Sequence, residues 1–437
     1  MKILVILEDA VRPAHMGCYG YSKDTTPNCV RLAREGVRFE NCIAVSTHTF
    51  PPLVSIITGQ TTATHGLMSA VDYRAWRYGD LWEGHRTPLH LLGDAGFLID
   101  GELVTRWAPL GFPRDADDLE QYMEQNRDKP WFFFAEPYPT HLPYDPPQEY
   151  YDMFVDDDFQ PSAETLERLD IVRTRMILHP PDVQSAMEAG REDPIGDGDE
   201  AHQRTIAVVE FQPEDAPGIR ALYDGEMRVF DDLVGRWIAK LEQLDQLDDT
   251  LVIIISDHGE ELLERGHVGH TSCNLKGTLY DECLRVPLIM RYPQKLPAGK
   301  VVTQQVSQID IMPTIFDLLG LELALPHDGA STLPLIRGET ERFREEAYAE
   351  TMPAGWQAQD GDERRIWCVR TLEWKLIMNL DPATATRTYE LYNLRDDPGE
   401  RNNICDQEPA KAAELQAKLE AHMAGAGKAP TGTESRK

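Results

Sequence analysis

The chain alternates short apolar runs with amphipathic stretches. "KILVIL" (2–7), "KPWFFFAEPY" (129–138) and "DDTLVIIISDHG" (248–259) contain unbroken apolar runs, the pattern of strands buried on both faces. "PNCVRLAREGVRF" (27–39) predicts a helix ended by Gly36, followed by a strand into "ENCIAV". "PPLVSIITG" (51–59) predicts the next helix, and "PLHLLGDAGFLIDGEL" (88–103) a helix, turn and strand. Residues 221–247 carry apolar positions at helical spacing over several turns. Strands alternating with helices predict an α/β fold, with a mostly parallel sheet flanked by helices.

Two regions break this rhythm. Residues 155–220 are acidic, aperiodic and interrupted by prolines, and are expected to form an insertion with some helix, or a lid. From about 356, "RRIWCVRTLEWKLIMNL" and "TYELYNL" read as antiparallel strands and "PAKAAELQAKLEAHM" as an amphipathic helix. The expected organisation is a catalytic α/β domain over 1–355 and a small C-terminal α+β subdomain over 356–437. Its last dozen residues are expected to be disordered.

Charge narrows the partners. The chain has 43 basic and 74 acidic residues, a formal net charge of −31. It lacks the basic footprint that nucleic acid or an anionic membrane surface requires. A small anionic ester substrate remains compatible with a locally positive pocket. The seven cysteines are odd in number and contain no CxxC, so neither a disulfide framework nor a zinc ribbon is expected. No apolar run is long enough to span a membrane, and no signal peptide precedes Ile3, so a cytoplasmic location is expected. A homo-oligomer is left open.

The candidate chemistry lies at strand ends, where ligands bind in open parallel sheets. One apolar run ends in Glu8 and Asp9, and another in Asp257 and His258. Carboxylates and an imidazole at one sheet edge can hold a divalent metal. In "THTFPPLVSIITG" (47–59), Thr49 stands at a helix mouth before Pro51 and Pro52. Thr49 reads as an N-cap. It also reads as a nucleophile, since a helix mouth attracts anions and a metal-held hydroxyl is activated. Asp9, Thr49, Asp257 and His258 then form one site around one divalent ion: Mn²⁺, Mg²⁺, Ca²⁺ or Zn²⁺.

The segments 9–44 and 256–290, with "QIDIMPTIFDLLGLE" (308–322), "DGASTLPLIRGE" (328–339) and "ELYNLRDDPGERNNI" (390–404), resemble the sulfatase family of the alkaline phosphatase superfamily. The resemblance implies an alkaline-phosphatase-like sandwich. It departs at the nucleophile. Where sulfatases carry Cys or Ser in C-x-P-x-R, this chain reads Thr49-Phe50-Pro51-Pro52-Leu53, so formylglycine is not expected. The family's paired Asp is here Asp9-Ala10. Both changes resemble the phosphoethanolamine transferase branch, which uses one acid, one Thr and an Asp-His pair. Likeness to family motifs adds His141, His270 and Lys276 as substrate contacts, with His267 and Arg106 as weaker candidates.

The expected activity is a metal-dependent phosphorus-ester hydrolase acting through Thr49 and a covalent phosphoryl enzyme. The alternatives are a sulfuric ester hydrolase working without formylglycine and an inactive anion-binding relative.

Overall fold

A computed structural model describes residues 1–68, 86–99, 116–180, 184, 206–271, 277–353, 365–381, 384 and 386–425. The central sheet is built from β1 (Lys2–Glu8), β2 (Val37–Ile43), β3 (Phe132–Ala135), β4 (Thr250–Ser256), β5 (Leu288–Arg291) and β6 (Lys300–Ser307). Its order is β6-β2-β5-β4-β1-β3, and the short strand Arg285–Val286 also pairs with β2. β1 runs parallel to both β3 and β4, and β6 parallel to β2, while β5 is antiparallel to its two neighbours. The expected mostly parallel α/β sheet is therefore present.

The period-two alternation of β1 divides the core. Ile3, Val5 and Leu7 join one apolar cluster, and Leu4 and Ile6 join another on the opposite face. The flanking helices are α1 (Pro27–Glu35), α2 (Phe50–Thr58), α3 (Ala216–Gln243) and α4 (Ile311–Leu319). α2 and α4 bury Leu53, Ile56, Ile315 and Phe316 in the first cluster; α1 and α3 bury Leu32, Leu222, Phe230 and Trp237 in the second. The all-apolar β1 and β4 are thus explained by burial on both faces.

Within 155–220 the described elements are a helix, Ala163–Thr174, and a parallel pair of short strands, Met176–Leu178 and Ile206–Val208. Leu169, Val172 and Ile177 belong to the core beside α3. Residues 181–183 and 185–205 lie outside the described residues, as do 354–364 and the expected disordered tail. The strand expected near 98–103 is reduced, within the described residues, to a single parallel bridge between Leu98 and Trp131. The six described cysteines form no disulfide.

The C-terminal sheet is antiparallel, in the order β7 (Ala347–Thr351), β8 (Arg365–Arg370), β9 (Trp374–Asp381), β10 (Thr386–Asn393). Its first strand lies before residue 356, so the sheet begins earlier than the sequence pattern suggested. The helix α5 (Pro409–Gly425) buries Leu415 and Leu419 against Val369, Leu376 and Leu391.

A buried ionic cluster fixes this unit to the main domain. Lys375 is fully buried, with its Nζ 2.6 Å from Asp281 Oδ1, 2.8 Å from Glu400 Oε1 and 3.0 Å from the Leu279 carbonyl. Arg370 reaches Asp281 at 2.8 Å. Lys375→Met leaves Glu400 buried without a cation, and removing one partner of a buried ion pair costs about 3–5 kcal/mol. Urea unfolding is expected to show a loss of that order; a loss below about 1 kcal/mol contradicts the role assigned to Lys375.

Glu226, buried on α3, supplies a pH test. Burial pushes its carboxyl up to about 8, only partly offset by a backbone hydrogen bond at Asp145. Between the ordinary carboxylate range and pH 8 the folded chain keeps this proton and the unfolded chain releases it. Stability from this group therefore falls as pH rises. Glu226→Gln is expected to raise the melting temperature relative to wild type at pH 8 and not at pH 4. Parallel curves across that range contradict it.

Candidate active site

The strand order β4-β1-β3 brings three carboxyl ends together at one sheet edge. Glu8 and Asp9 leave β1, Glu136 leaves β3, and Asp257 and His258 leave β4; all five are buried. Asp257 Oδ1 accepts from the backbone N–H of His258 at 2.7 Å and of Ala10 at 3.1 Å. The second contact uses a left-handed turn at Ala10, φ 60°, an uncommon conformation for a residue with a Cβ. The His258 Nδ1–H donates to the Gly259 carbonyl at 2.8 Å, which leaves the Nε2 lone pair facing the site. Nε2 lies 3.4 Å from Asp257 Oδ2 and 3.7 Å from Asp9 Oδ1.

Thr49 stands at the N-cap position of α2, but its hydroxyl caps nothing. It donates to Asp9 Oδ2 at 3.0 Å and lies 3.4 Å from His258 Nε2. The expected cap is thus corrected. A cap serves the N–H groups of the second and third helical residues, and those are Pro51 and Pro52, which have none. The same prolines shrink the anion-binding helix mouth expected from the sequence. The structure therefore brings Asp9, Thr49, Asp257 and His258 into one constellation.

His141 and His270 lie beside Asp9, each with a ring nitrogen within 4.8 Å of its carboxylate. Their rings are 5.1 Å apart, and His270 is 4.3 Å from His258. His270 Nδ1 is 3.1 Å from Glu260 Oε1, and Tyr144 donates to Glu260 Oε2 at 2.8 Å. His267, the weaker candidate, faces Glu261 at 3.6 Å and packs on His179 instead. Lys276 and Arg106 lie outside the described residues. The sequence reading missed the supporting groups Glu260, Thr140, Glu136 and Gln308. Glu260 was findable two residues after His258, and Gln308 opens a quoted motif; Gln308 donates to the Ser256 carbonyl at 2.8 Å.

Charge dominates the site. Burial raises the Asp9 carboxyl well above its usual range, and Asp257 raises it further. Burial likewise raises Glu136, with Asp257, Asp9 and Glu8 adding to it. For His258, burial alone would lower the pKa, but Asp257 and Asp9 outweigh it and raise it. These groups fit a metal ion. Asp9 Oδ1 and Asp257 Oδ2 are buried with no hydrogen-bond partner. Asp9, Asp257 and His258 each offer a ligand atom within 4.8 Å of the others. A divalent cation satisfies these orphaned atoms at once, and a mixed oxygen and nitrogen donor set accepts several metals.

The sulfatase family model matches residues 2–100 and 114–321. The chain belongs to the sulfatase family. A second model, the C-terminal region of N-sulphoglucosamine sulphohydrolase, matches residues 270–428. An N-acetylglucosamine-6-O-sulfatase of Bacteroides thetaiotaomicron is 25% identical, over 92% of this chain and 82% of that relative. The multifunctional alkaline phosphatase superfamily protein PehA of Trinickia caryophylli is 26% identical, over 74% of each. The solved phosphonate monoester hydrolase of Agrobacterium radiobacter shares the fold, with a TM-score of 0.70 at 21% identity. That match covers 97% of this chain and 95% of the other. The protein is therefore a sulfatase-family hydrolase, and members of that family typically bind a divalent metal. Among the described residues, no helix is long and apolar enough to cross a membrane.

Asp257→Ala removes a candidate metal ligand together with the acceptor that orients Ala10 and His258. Elemental analysis after dialysis against Mn²⁺ is expected to show one fewer ion per chain than wild type. Full retention removes Asp257 from the metal site.

Proposed function

We propose that this chain hydrolyses a phosphorus ester through Thr49, with Asp9, Thr49, Asp257 and His258 holding a divalent ion. One observation carries the reading: the Thr49 hydroxyl is not a cap but donates to Asp9 across from His258. A relative named as a multifunctional alkaline phosphatase superfamily protein supports a phosphorus substrate. The ion, when bound, stabilises negative charge on the attacking and transferred oxygens.

The chain's own groups account for the remaining steps. Asp9 Oδ2 accepts the Thr49 proton as Oγ1 forms a bond to phosphorus. The bond from phosphorus to the ester oxygen breaks, and that oxygen leaves with its electron pair and takes a proton from water. A second water then attacks the phosphorus of phosphothreonine and gives one proton to the hydroxide left by the first; the bond from phosphorus to the Thr49 oxygen breaks, and the phosphoryl product is released. Asp9 returns its proton to Thr49. His141 and His270 border the transferred group, and Lys276 is assigned to its anionic oxygens. A sulfated threonine lacks the elimination route that a formylglycine hydrate has, which weighs against a sulfate ester. The net charge of −31 favours a small ester over a nucleic acid or an anionic membrane surface.

The test compares nitrophenyl phosphate, phosphodiester, phosphonate and sulfate esters with added divalent metals. Phosphorus-ester turnover is expected, falling at least about 10³-fold in Thr49→Ala. Sulfate turnover, or activity that survives Thr49→Ala, overturns the proposal.

A further inference from the structure

One aromatic side chain near the site plays no part in the steps above. Tyr138 belongs to Glu136-Pro137-Tyr138-Pro139-Thr140-His141, the loop that leaves the carboxyl end of β3. Thr140 pins this loop to the end of β1: its backbone N–H donates to Glu8 Oε1 at 2.9 Å, and its hydroxyl lies 2.7 Å from the same oxygen. Two residues before that anchor, Tyr138 has φ 75°. A left-handed backbone is an outlier for a bulky side chain, and the residue before a proline is ordinarily driven to the extended region. Such strain persists where the surroundings impose it, and it gathers at ligand clamps. Prolines on both sides stiffen the frame.

Tyr138 is also the one exposed aromatic side chain among the described residues, at 38%. Its ring centroid is nevertheless 5.4 Å from that of His141. His141 lies 5.1 Å from His270, and His270 lies 4.3 Å from His258. Exposure falls along this series, through a half-buried His141, to 2% at His270 and 0% at His258. Four rings thus lead from solvent to the imidazole beside Thr49.

We propose that Tyr138 is a specificity-determining residue, whose ring packs on the organic group of the ester and favours a flat aromatic group over an alkyl one. This rests on the ester-hydrolase reading above and names the class of organic group that it takes. An ester attacked by Thr49 sets its anionic head against the inner rings, and its organic group extends along the open end of the series. Two rings gain from offset or edge-on contact beyond the area they bury, which an alkyl group does not. The stiff, pinned loop holds the Tyr138 ring in place beforehand, so little further freedom is lost when the ester binds.

The test divides kcat/KM for a phenyl ester by that for the matching trifluoroethyl ester, in whichever class of ester the wild-type chain turns over. The intrinsic reactivity of the two esters is common to every variant, so it cancels when these ratios are compared. The ratio is expected to fall about tenfold in Tyr138→Ala and in Tyr138→Gly, and to stay within about twofold of wild type in Tyr138→Phe. Tyr138→Gly also relieves the strained backbone, so it decides alone if Tyr138→Ala fails to fold. An equal loss on both esters leaves the ratio unchanged, makes Tyr138 a structural residue and overturns the proposal. A Tyr138→Phe ratio as low as that of Tyr138→Ala assigns the effect to the hydroxyl and overturns it as well. If the ester turned over is a sulfate, the proposed function falls and the same ratios still decide Tyr138. No turnover of any ester overturns both.

Discussion

Burying several carboxylates at the ends of three adjacent strands is the constraint on which the site depends. Two unit charges about 4 Å apart interact by about 4 kcal/mol under the screening usual for proteins. The fold meets this repulsion half-way. Asp257 has one oxygen on backbone N–H groups, Asp9 has one on Thr49, and Glu8 has one on Thr140. The second oxygen of each is buried without a partner. Two half-satisfied acids beside one imidazole, with Glu8 behind them, make poor stability and a fitting cation site, and the fold has to hold them in place.

That holding is shared among segments distant in sequence. Thr47 lies 2.5 Å from the Thr271 hydroxyl and donates to the Thr278 carbonyl at 2.8 Å. Thr351, on the first strand of the C-terminal sheet, reaches Thr271 at 3.4 Å. The turn bearing Thr49 is therefore stitched to the segment bearing His270, and both to the smaller sheet. Asp281, Lys375 and Glu400 repeat the link a few residues further on. The C-terminal unit thus braces the candidate catalytic edge, which accounts for family motifs so far from Asp9, Asp257 and His258.

The strands were legible because their pattern is local. β1 and β4 are continuous apolar runs, and each ends in the acids that the site uses. The family motifs made the constellation of Asp9, Thr49, Asp257 and His258 readable as a set. Pairing partners were not legible in this way. Glu260 looked like one acid among many until Tyr144 and His270 closed on it. The start of the C-terminal sheet was misplaced because Ala347–Thr351 is too short to announce itself, and becomes a strand only by pairing with Arg365–Arg370. His270 and His267 are three residues apart, and only the fold separates the one beside His258 from the one beside Glu261.

Thr49 shows how a local rule can be answered by residues already in view. A threonine before an apolar helix ordinarily caps it, because its oxygen accepts from the second or third helical N–H. Here those two positions are proline, so the cap has no donor to serve. The prolines still start the helix, since their fixed backbone angle suits its first turn. Helix initiation and the threonine hydroxyl are thereby uncoupled. The hydroxyl has one proton, and Asp9 receives it. The pair of prolines thus does more than open a helix: it leaves a side-chain oxygen at a rigid helix start with no structural duty, aimed at a buried carboxylate and an imidazole.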